Sequence, residues 1–417
     1  MEYVFYFDES FHDKKVTVNS DGKLNILADD KLDSYVGFFW GCRIEDLVEN
    51  EKMIFEFEKK QRERFRLEKD KELKSTTISK SSFEYGIASF SRDAFRFYKD
   101  LFSMIDEIDP IIQVEIISKM EFFVRTIVAK AKFQVKDFDE SVFIYTLTKF
   151  LITYGTDDVF KAMVNIHDRV TSKKLTYKLL HSLDKVLKNT SRIKRKEREY
   201  PALLQLRSVI MGMTIKTSSE SRIDFSYTPN FVGLSKLLNE LNIDPKDIGL
   251  IIDNEDKTYQ EAKKYPFNEV KITDSKNCIE VRLSDFISGF IGRMLYALEY
   301  DPRTCEDSVT DINALNENDL ETKRLLSPDW FRLTKEQFYL YRLICKTLIE
   351  KQKHFWSYMT TCYADQICSF ITLISYFDQY SSYEEYLKTE PEMHAEHHSA
   401  MNCDMLEDYF RKSLSVR

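Results

Sequence analysis

Glycine and proline are scarce, 10 and 8 in a chain of 417 residues, which leaves room for few tight turns and favours long helices. The seven cysteines include no Cys-x-x-Cys pair, and their odd number does not suggest a disulfide framework. No G-x-x-x-x-G-K-[ST] or G-x-G-x-x-G stretch occurs, so NTP hydrolysis and dinucleotide binding lack their usual phosphate cradles. Cys–His and Ser–His catalysis likewise lack a local signature. The most apolar helical stretch, Ile367 to Phe377, is too short to span a bilayer and is bracketed by Asp365 and Asp378. The first residues lack the basic flank and apolar segment of a signal peptide. A reduced, cytoplasmic protein with no membrane partner is therefore expected. Positive charge is also in deficit. A formal net charge of −8 gives no global attraction to nucleic acid, so any polyanion must be held by local basic patches or through bound cations.

Aromatic residues, by contrast, are plentiful at 14%. The length accommodates two domains, or one core with large insertions. In "EYVFYFDES", Glu2 to Ser10, Val4 to Phe7 predict a central strand with both faces covered. Asp8 and Glu9 then stand where that strand leaves its sheet. Taken alone they open a turn or cap a helix as readily as they hold a cation. Two alternating runs around Asp21-Gly22 predict a hairpin. Further strands are predicted at Ser34 to Ile44, Ile111 to Ile117, around "GLIID" ending at Asp253, and at Glu269 to Thr273. A charged surface helix is expected from Glu45 towards Lys74. Other helices are expected from Ser91 to Met104, throughout Asp139 to Leu187, at Phe231 to Leu241, and in "CIEVRLSDFISGFIGRMLYALEY". Asp301 to Leu326 is acidic and polar, the best candidate for a domain boundary, and Thr334 to Phe377 and Asp404 to Ser413 read as helical.

Three further acids share the character of Asp8. Asp253 follows Leu250-Ile251-Ile252 at a strand exit. Asp285 lies in a helix whose small Ser288 and Gly289 permit close packing on a sheet. Glu72 comes where the charged helix is expected to end. Each one singly is more commonly a surface or capping acid. Together, "YFDES", "ELKSTTI", "LIIDNED" and "TDSKNCIEVRLSDFISGFIGRM" resemble, in order and spacing over residues 1 to about 300, the bacterial family named domain of unknown function 3800. That resemblance implies an α/β, ribonuclease H-like mixed sheet with an acidic metal centre. Helical residues from about 139 to 215 would be an insertion, and residues 301–417 an additional helical region outside the resemblance. Phe11 stands where that family has glycine, which predicts a different turn after the strand. Arg282 replaces the family's glutamine three residues before Asp285, which predicts a cation beside the acids.

The implied function is a metal-dependent nuclease cutting DNA or RNA, with a role in bacterial defence against phage or mobile elements by analogy. Mg²⁺ or Mn²⁺ are hard cations that take oxygen ligands, and a pair of them can clamp both the attacking and the departing oxygen of a phosphodiester. On this reading Asp8 bridges, Glu72 and Asp253 serve one ion, Asp285 serves the other, and all four converge. Glu9 would stand behind them, and Lys74 and Lys276 would contact the phosphate. The other classes are a catalytically silent module holding nucleic acid or protein, and a phosphohydrolase acting on nucleotides. The basic run Lys188 to Tyr200 is a solvated helix end or a phosphate-contacting arm. His394, Glu396, His397 and His398 read as a polar loop rather than a zinc site. Phe338, Tyr339, Tyr341, Phe355, Trp356 and Tyr358 read as core rather than as a stacking platform. The C-terminal helices are expected to form a separate unit that serves as a dimer interface, a protein-partner surface or a lid.

Overall fold

A computed structural model describes the chain apart from residues 14, 20–22, 28–31, 69–70, 136–137, 167–168, 192–198, 216–222, 300, 302–324, 352–363 and 416–417. Most of the basic run, the supposed boundary segment, and Phe355, Trp356 and Tyr358 therefore lie outside the described residues.

The first half of the chain forms β1 (Tyr3–Ser10), β2 (Lys15–Val16), β3 (Ser34–Arg43), α1 (Leu47–Arg64), α2 (Arg92–Ile108) and β4 (Ile111–Ser118). It continues with α3 (Lys119–Val128), β5 (Ala131–Phe133), α4 (Glu140–Tyr154), α5 (Asp157–Val164), α6 (Arg169–Thr190), α7 (Glu199–Met211), β6 (Met213–Ile215) and β7 (Ile223–Asp224). The second half contributes α8 (Thr228–Glu240), β8 (Ile248–Asp253), α9 (Asp256–Ala262), β9 (Glu269–Thr273), α10 (Ile279–Glu299), α11 (Lys335–Cys345), α12 (Ala364–Tyr376) and α13 (Pro391–Ser415). Five strands form one mixed sheet in the order β4-β3-β1-β8-β9. The central β3 runs antiparallel to both β1 and β4, while β8 and β9 run parallel to β1. The chain is thus an α/β protein whose sheet is flanked by helices, with further helices at the C-terminus.

Strand alternation divides the core. Along β1, Val4 and Tyr6 join Val36, Phe38 and Trp40 of β3 in a cluster with α10, while Phe5 and Phe7 join Tyr35 and Phe39 beneath α8. Both faces are covered, which is why β1 reads as an unbroken apolar run. Trp40 Nε1 donates to the Glu280 carbonyl at 2.8 Å and fixes the start of α10 on the sheet. The α3 to α7 helices have an apolar core of their own, shared with Val16, Leu24 and Ile26. The β5–β6 ribbon pairs Ala131 with Ile215 and so ties the two ends of this helical excursion together.

Several expectations need correction. The run around Asp21-Gly22 closes through a single bridge, Val18 to Leu24, before Asn25–Leu27 turn into a 3-10 helix; the first arm pairs instead with β7. The helix expected to reach Lys74 stops at Arg64, and Arg66 takes a left-handed φ of 50° that turns the chain back. His394 and His398 lie not in a loop but on α13, buried among aromatic rings. The His394 ring stacks on Tyr386 at 4.2 Å, and burial pushes both imidazoles down to about 4, so they are neutral core residues. Phe338 and Tyr341 are fully buried, whereas Tyr339 is exposed.

The C-terminal helices share one apolar cluster with the sheet and α10, from Val4 and Tyr6 through Phe290 to Trp330, Tyr341 and Ala395. Trp330 is at its centre: its Nε1 donates to the buried Asp301 carboxylate at 2.5 Å, and its ring lies against Gly86, whose φ of 58° suits glycine. Trp330→Ala should cost about 3–5 kcal/mol, the usual loss for a buried aromatic. Because the core is shared, hydrogen exchange should report lower protection in β1 and β3 as well as in α11 and α12. Protection lost only after residue 325 would mean that the C-terminal helices melt as a unit of their own.

Candidate active site

The alternation that buries Tyr6 beneath α10 also decides where the acids point. Asp8, two residues on, projects to the α10 side as β1 leaves the sheet, and Glu9 projects to the α8 side. β8 lies parallel beside β1, so Asp253 emerges at the same edge. Asp285 reaches that edge from above because α10 packs closely on β1. Ser284 Oγ lies 3.4 Å from the Tyr6 carbonyl, Ser10 and Ser288 hydroxyls are 2.9 Å apart, and the Phe11 ring lies flat where a methyl on Gly292 would be. Phe11 adopts a left-handed φ of 59°, a region that glycine enters freely, at a cost of about 1–2 kcal/mol that its packing on α10 helps to offset.

Hydrogen bonds then distinguish the carboxylates. Both Asp285 oxygens accept from Ser75, one from its amide and one from its hydroxyl, each at 2.7 Å. Ser75 belongs to the "ELKS" stretch, so this contact carries the segment after α1 onto α10. Asp253 accepts from the Ser275 amide at 3.0 Å, and among the described residues Asp8 accepts only the amide of its neighbour Glu9, at 2.8 Å. Part of Asp8 reaches solvent, yet its carboxylate is crowded by protein. Burial first, then repulsion from Glu9, Asp285 and Asp253, push its pKa well above the ordinary carboxylate range. Burial also raises Asp285, while Ser75, Arg293 and Lys74 pull it part of the way back.

The structure therefore gathers Asp8, Asp253 and Asp285 within electrostatic reach of one another. Glu72 lies nearby but faces Lys74, with Oε2 and Nζ 3.2 Å apart. Burial works against the Lys74 ammonium, but Glu72, then Asp285 and Asp253, hold its pKa up. Lys276 is exposed just past Ser275, its amide donating to Asp274. Arg282 is not beside the acids as expected: it turns away to pair with Glu58 of α1 and the Ser275 carbonyl. The oxygen-only donor set and the mutual repulsion both fit a hard divalent cation. In position the fit is looser: among the described residues no three His, Cys, Asp or Glu side chains are close enough to hold a metal ion as they stand.

A cleft of about 470 Å³ opens beside these acids, reaching from Glu9, Ser10 and Asp285 to the cations Lys80 and Arg293. Arg293 is buried, its Nη1 makes no hydrogen bond, and its guanidinium lies within reach of Asp285. On the α8 side Glu9 approaches His12 Nδ1 at 3.9 Å, and His12 Nε2 meets the Tyr227 hydroxyl. Sequence reasoning missed Ser75, Ser275, His12, Lys80 and Arg293. A signal existed only for Arg293, a lone charge in the apolar run "FISGFIGRMLYA". No protein-family model matches the chain, nor does any curated protein or solved structure.

The raised carboxyls make stability depend on pH. Asp8 and Asp285 keep a proton in the folded state at pH values where the unfolded chain has lost it, so their contribution is present at low pH and lost as pH rises through their folded pKa. Glu121, raised to about 7, and Glu299, raised to about 8, act in the same sense. His394 and His398 act oppositely, but above pH 6.5 they are neutral in both states. In EDTA, stability should therefore fall from pH 6.5 to 8, the range set by Glu121 and Glu299. Asp8→Asn should make the pH dependence shallower above the ordinary carboxylate range and raise the melting temperature at pH 8 by a few degrees, about 1–2 kcal/mol for relief of one buried charge. Identical slopes for wild type and variant in thermal melts would show that Asp8 is not under this strain.

Proposed function

We propose that this chain is a metal-dependent phosphodiesterase of ribonuclease H-like fold that cuts DNA or RNA. One observation carries the reading: Asp8, at the end of the central strand, lies within electrostatic reach of Asp253 and Asp285, and Asp285 lines a cleft where Lys80, Lys119 and Arg293 stand among Glu9 and Asp13. The mixed sheet, antiparallel over β4, β3 and β1 and parallel from β1 to β9, supports the fold assignment, as does the segment resemblance to domain of unknown function 3800. Mg²⁺ or Mn²⁺, when bound, would supply Lewis-acid stabilisation and a nucleophilic water. Asp8, Asp253, Asp285 and Glu72 would hold it. Ser75 and Ser275 orient two of these carboxylates, and Arg293, Lys80 and Lys74 offer positive charge to the phosphate's oxygens. Lys276, exposed just past Ser275, would be a further phosphate contact. A role in bacterial defence follows from the resemblance alone.

A second reading, a catalytically silent module that holds nucleic acid or a protein partner, draws on Asp285, whose two oxygens already accept hydrogen bonds from Ser75. The two readings separate on Asp8→Asn. Purified wild type should cleave at least one of single- or double-stranded DNA or RNA with Mg²⁺ or Mn²⁺, and the variant should lose about a thousandfold, roughly 4 kcal/mol at the transition state. Mn²⁺ should also raise the melting temperature of wild type more than that of the variant. A variant that cuts at the wild-type rate would remove Asp8 from the chemistry. A wild type inert on every substrate, with no thermal response to Mn²⁺, would leave the binding module.

A further inference from the structure

Away from the acidic cleft, α1 and α2 form one wall of an open groove of about 600 Å³, completed by the start of α11. Its charge is the reverse of the chain's: Lys60, Arg64, Arg92, Arg96 and Lys99 line it against only Asp100 and Glu336. Asp100 is already committed, accepting from Lys60 and Gln61 at 3.0 Å and Arg64 at 2.9 Å. Arg92, Arg96 and Lys99 form an exposed row on α2 and have no acidic partner among the described residues. Asp93, the acid of that helix's first turn, does not line the groove.

Such a row is unfavourable in isolation. Arg92 occupies the first helical position, where the backbone dipole disfavours a cation, and spacings of four and three residues place the charges within repulsive range. An anion laid along the row removes both penalties. From Arg92 to Lys99 the helix rises about 10 Å, the span of roughly three phosphate-to-phosphate steps at ~3.4 Å rise per strand position. Two of the three cations are arginines, whose planar fork matches phosphate oxygens. Phe95, half-buried at the groove, supplies an apolar contact for a sugar or base.

We infer that this groove is a docking site for the phosphate backbone of a nucleic-acid strand, distinct from the acidic cleft. The ligand class is the one proposed above, but the inference stands on the groove's own charge and shape. α1 connects the two places. Glu58 holds Arg282, one turn before Asp285, and Arg64, about 9 Å further along the same helix, holds Asp100.

The test uses the full chain, EDTA to prevent cleavage, and fluorescein-labelled 20-nucleotide single-stranded DNA, single-stranded RNA and 20-base-pair duplex. Wild type should bind at least one of them with a strong salt dependence. The triple variant Arg92→Glu, Arg96→Glu, Lys99→Glu changes exposed side chains only and should melt as wild type does. It should bind at least tenfold more weakly, with the slope of log affinity against log salt shallower by about 2, for three lost contacts at ~0.7 each. Lys173→Glu with Lys174→Glu, on exposed positions of α6, should change binding little. The proposal is overturned if wild type binds none of the oligonucleotides, if the triple variant binds undiminished, if the α6 pair loses as much, or if polyglutamate of equal charge competes as well as the oligonucleotide. Cleavage with Mn²⁺ is scored separately. Binding without cutting keeps the groove and removes the nuclease, while cutting with undiminished binding by the triple variant does the reverse.

Discussion

A helix can bring an acidic side chain to a strand end only if its own backbone approaches the sheet closely, and on α10 that approach depends on Ser284, Ser288, Gly289 and Gly292. Methyl groups at Gly289 or Gly292 would overlap Ser75 and Phe11, the two residues that join neighbouring segments to the helix. Leucines in this stripe would lift α10 off β1, break the Ser10–Ser288 contact and carry Asp285 away from Asp8. The left-handed Phe11 belongs to the same constraint. Its backbone strain is tolerated because its ring fills the gap above Gly292, with Lys80 over its face at 5.4 Å.

Once the acids are gathered, their hydrogen bonds decide which of them bears the repulsion. Asp285 accepts two bonds from Ser75, which favour its charged form, and Asp253 accepts one from Ser275. Among the described residues Asp8 has only its neighbour's amide, and repulsion within the group therefore falls most heavily on it. Arg282, the cation nearest to Asp285 in sequence, could have relieved this but is committed to Glu58. Arg293 and Lys74 act on Asp285 from a distance, without direct hydrogen bonds to it. The result is an acidic centre kept short of positive charge, with cations placed around it.

Much of this architecture was legible in the sequence because it follows from short-range rules. Unbroken apolar runs marked β1, β3, β4 and β8, and the small residues of α10 marked a helix that packs closely. The acids at the strand ends were visible as exceptions to those runs. What could not be read depended on packing between remote segments. Nothing local indicates that Arg66 turns left-handed and ends α1 ten residues early, or that Ser75 reaches Asp285 across 210 positions. "MHAEHH" is polar by composition, yet His394 and His398 are buried because Phe331, Tyr376 and Tyr386 close over that face of α13. Arg92, Arg96 and Lys99 look like any solvated helix face until α1 and the start of α11 make that face one side of a groove.

The chain's overall negative charge and its basic groove are compatible because they act over different distances. At physiological ionic strength the screening length is about 8 Å, so the net charge of −8 weakly repels a polyanion at a distance but does not cancel a cluster that contacts it. A strand lying along α2 meets a row of cations that have no acidic partners among the described residues. Local attraction against global repulsion selects an orientation rather than merely raising affinity. The same balance holds at the acidic edge, where Asp8, Asp253 and Asp285 would repel a phosphate unless a cation lay between them. On the proposed reading, this charge pattern would favour a polyanion in the groove first and admit its phosphate to the carboxylates only together with a metal.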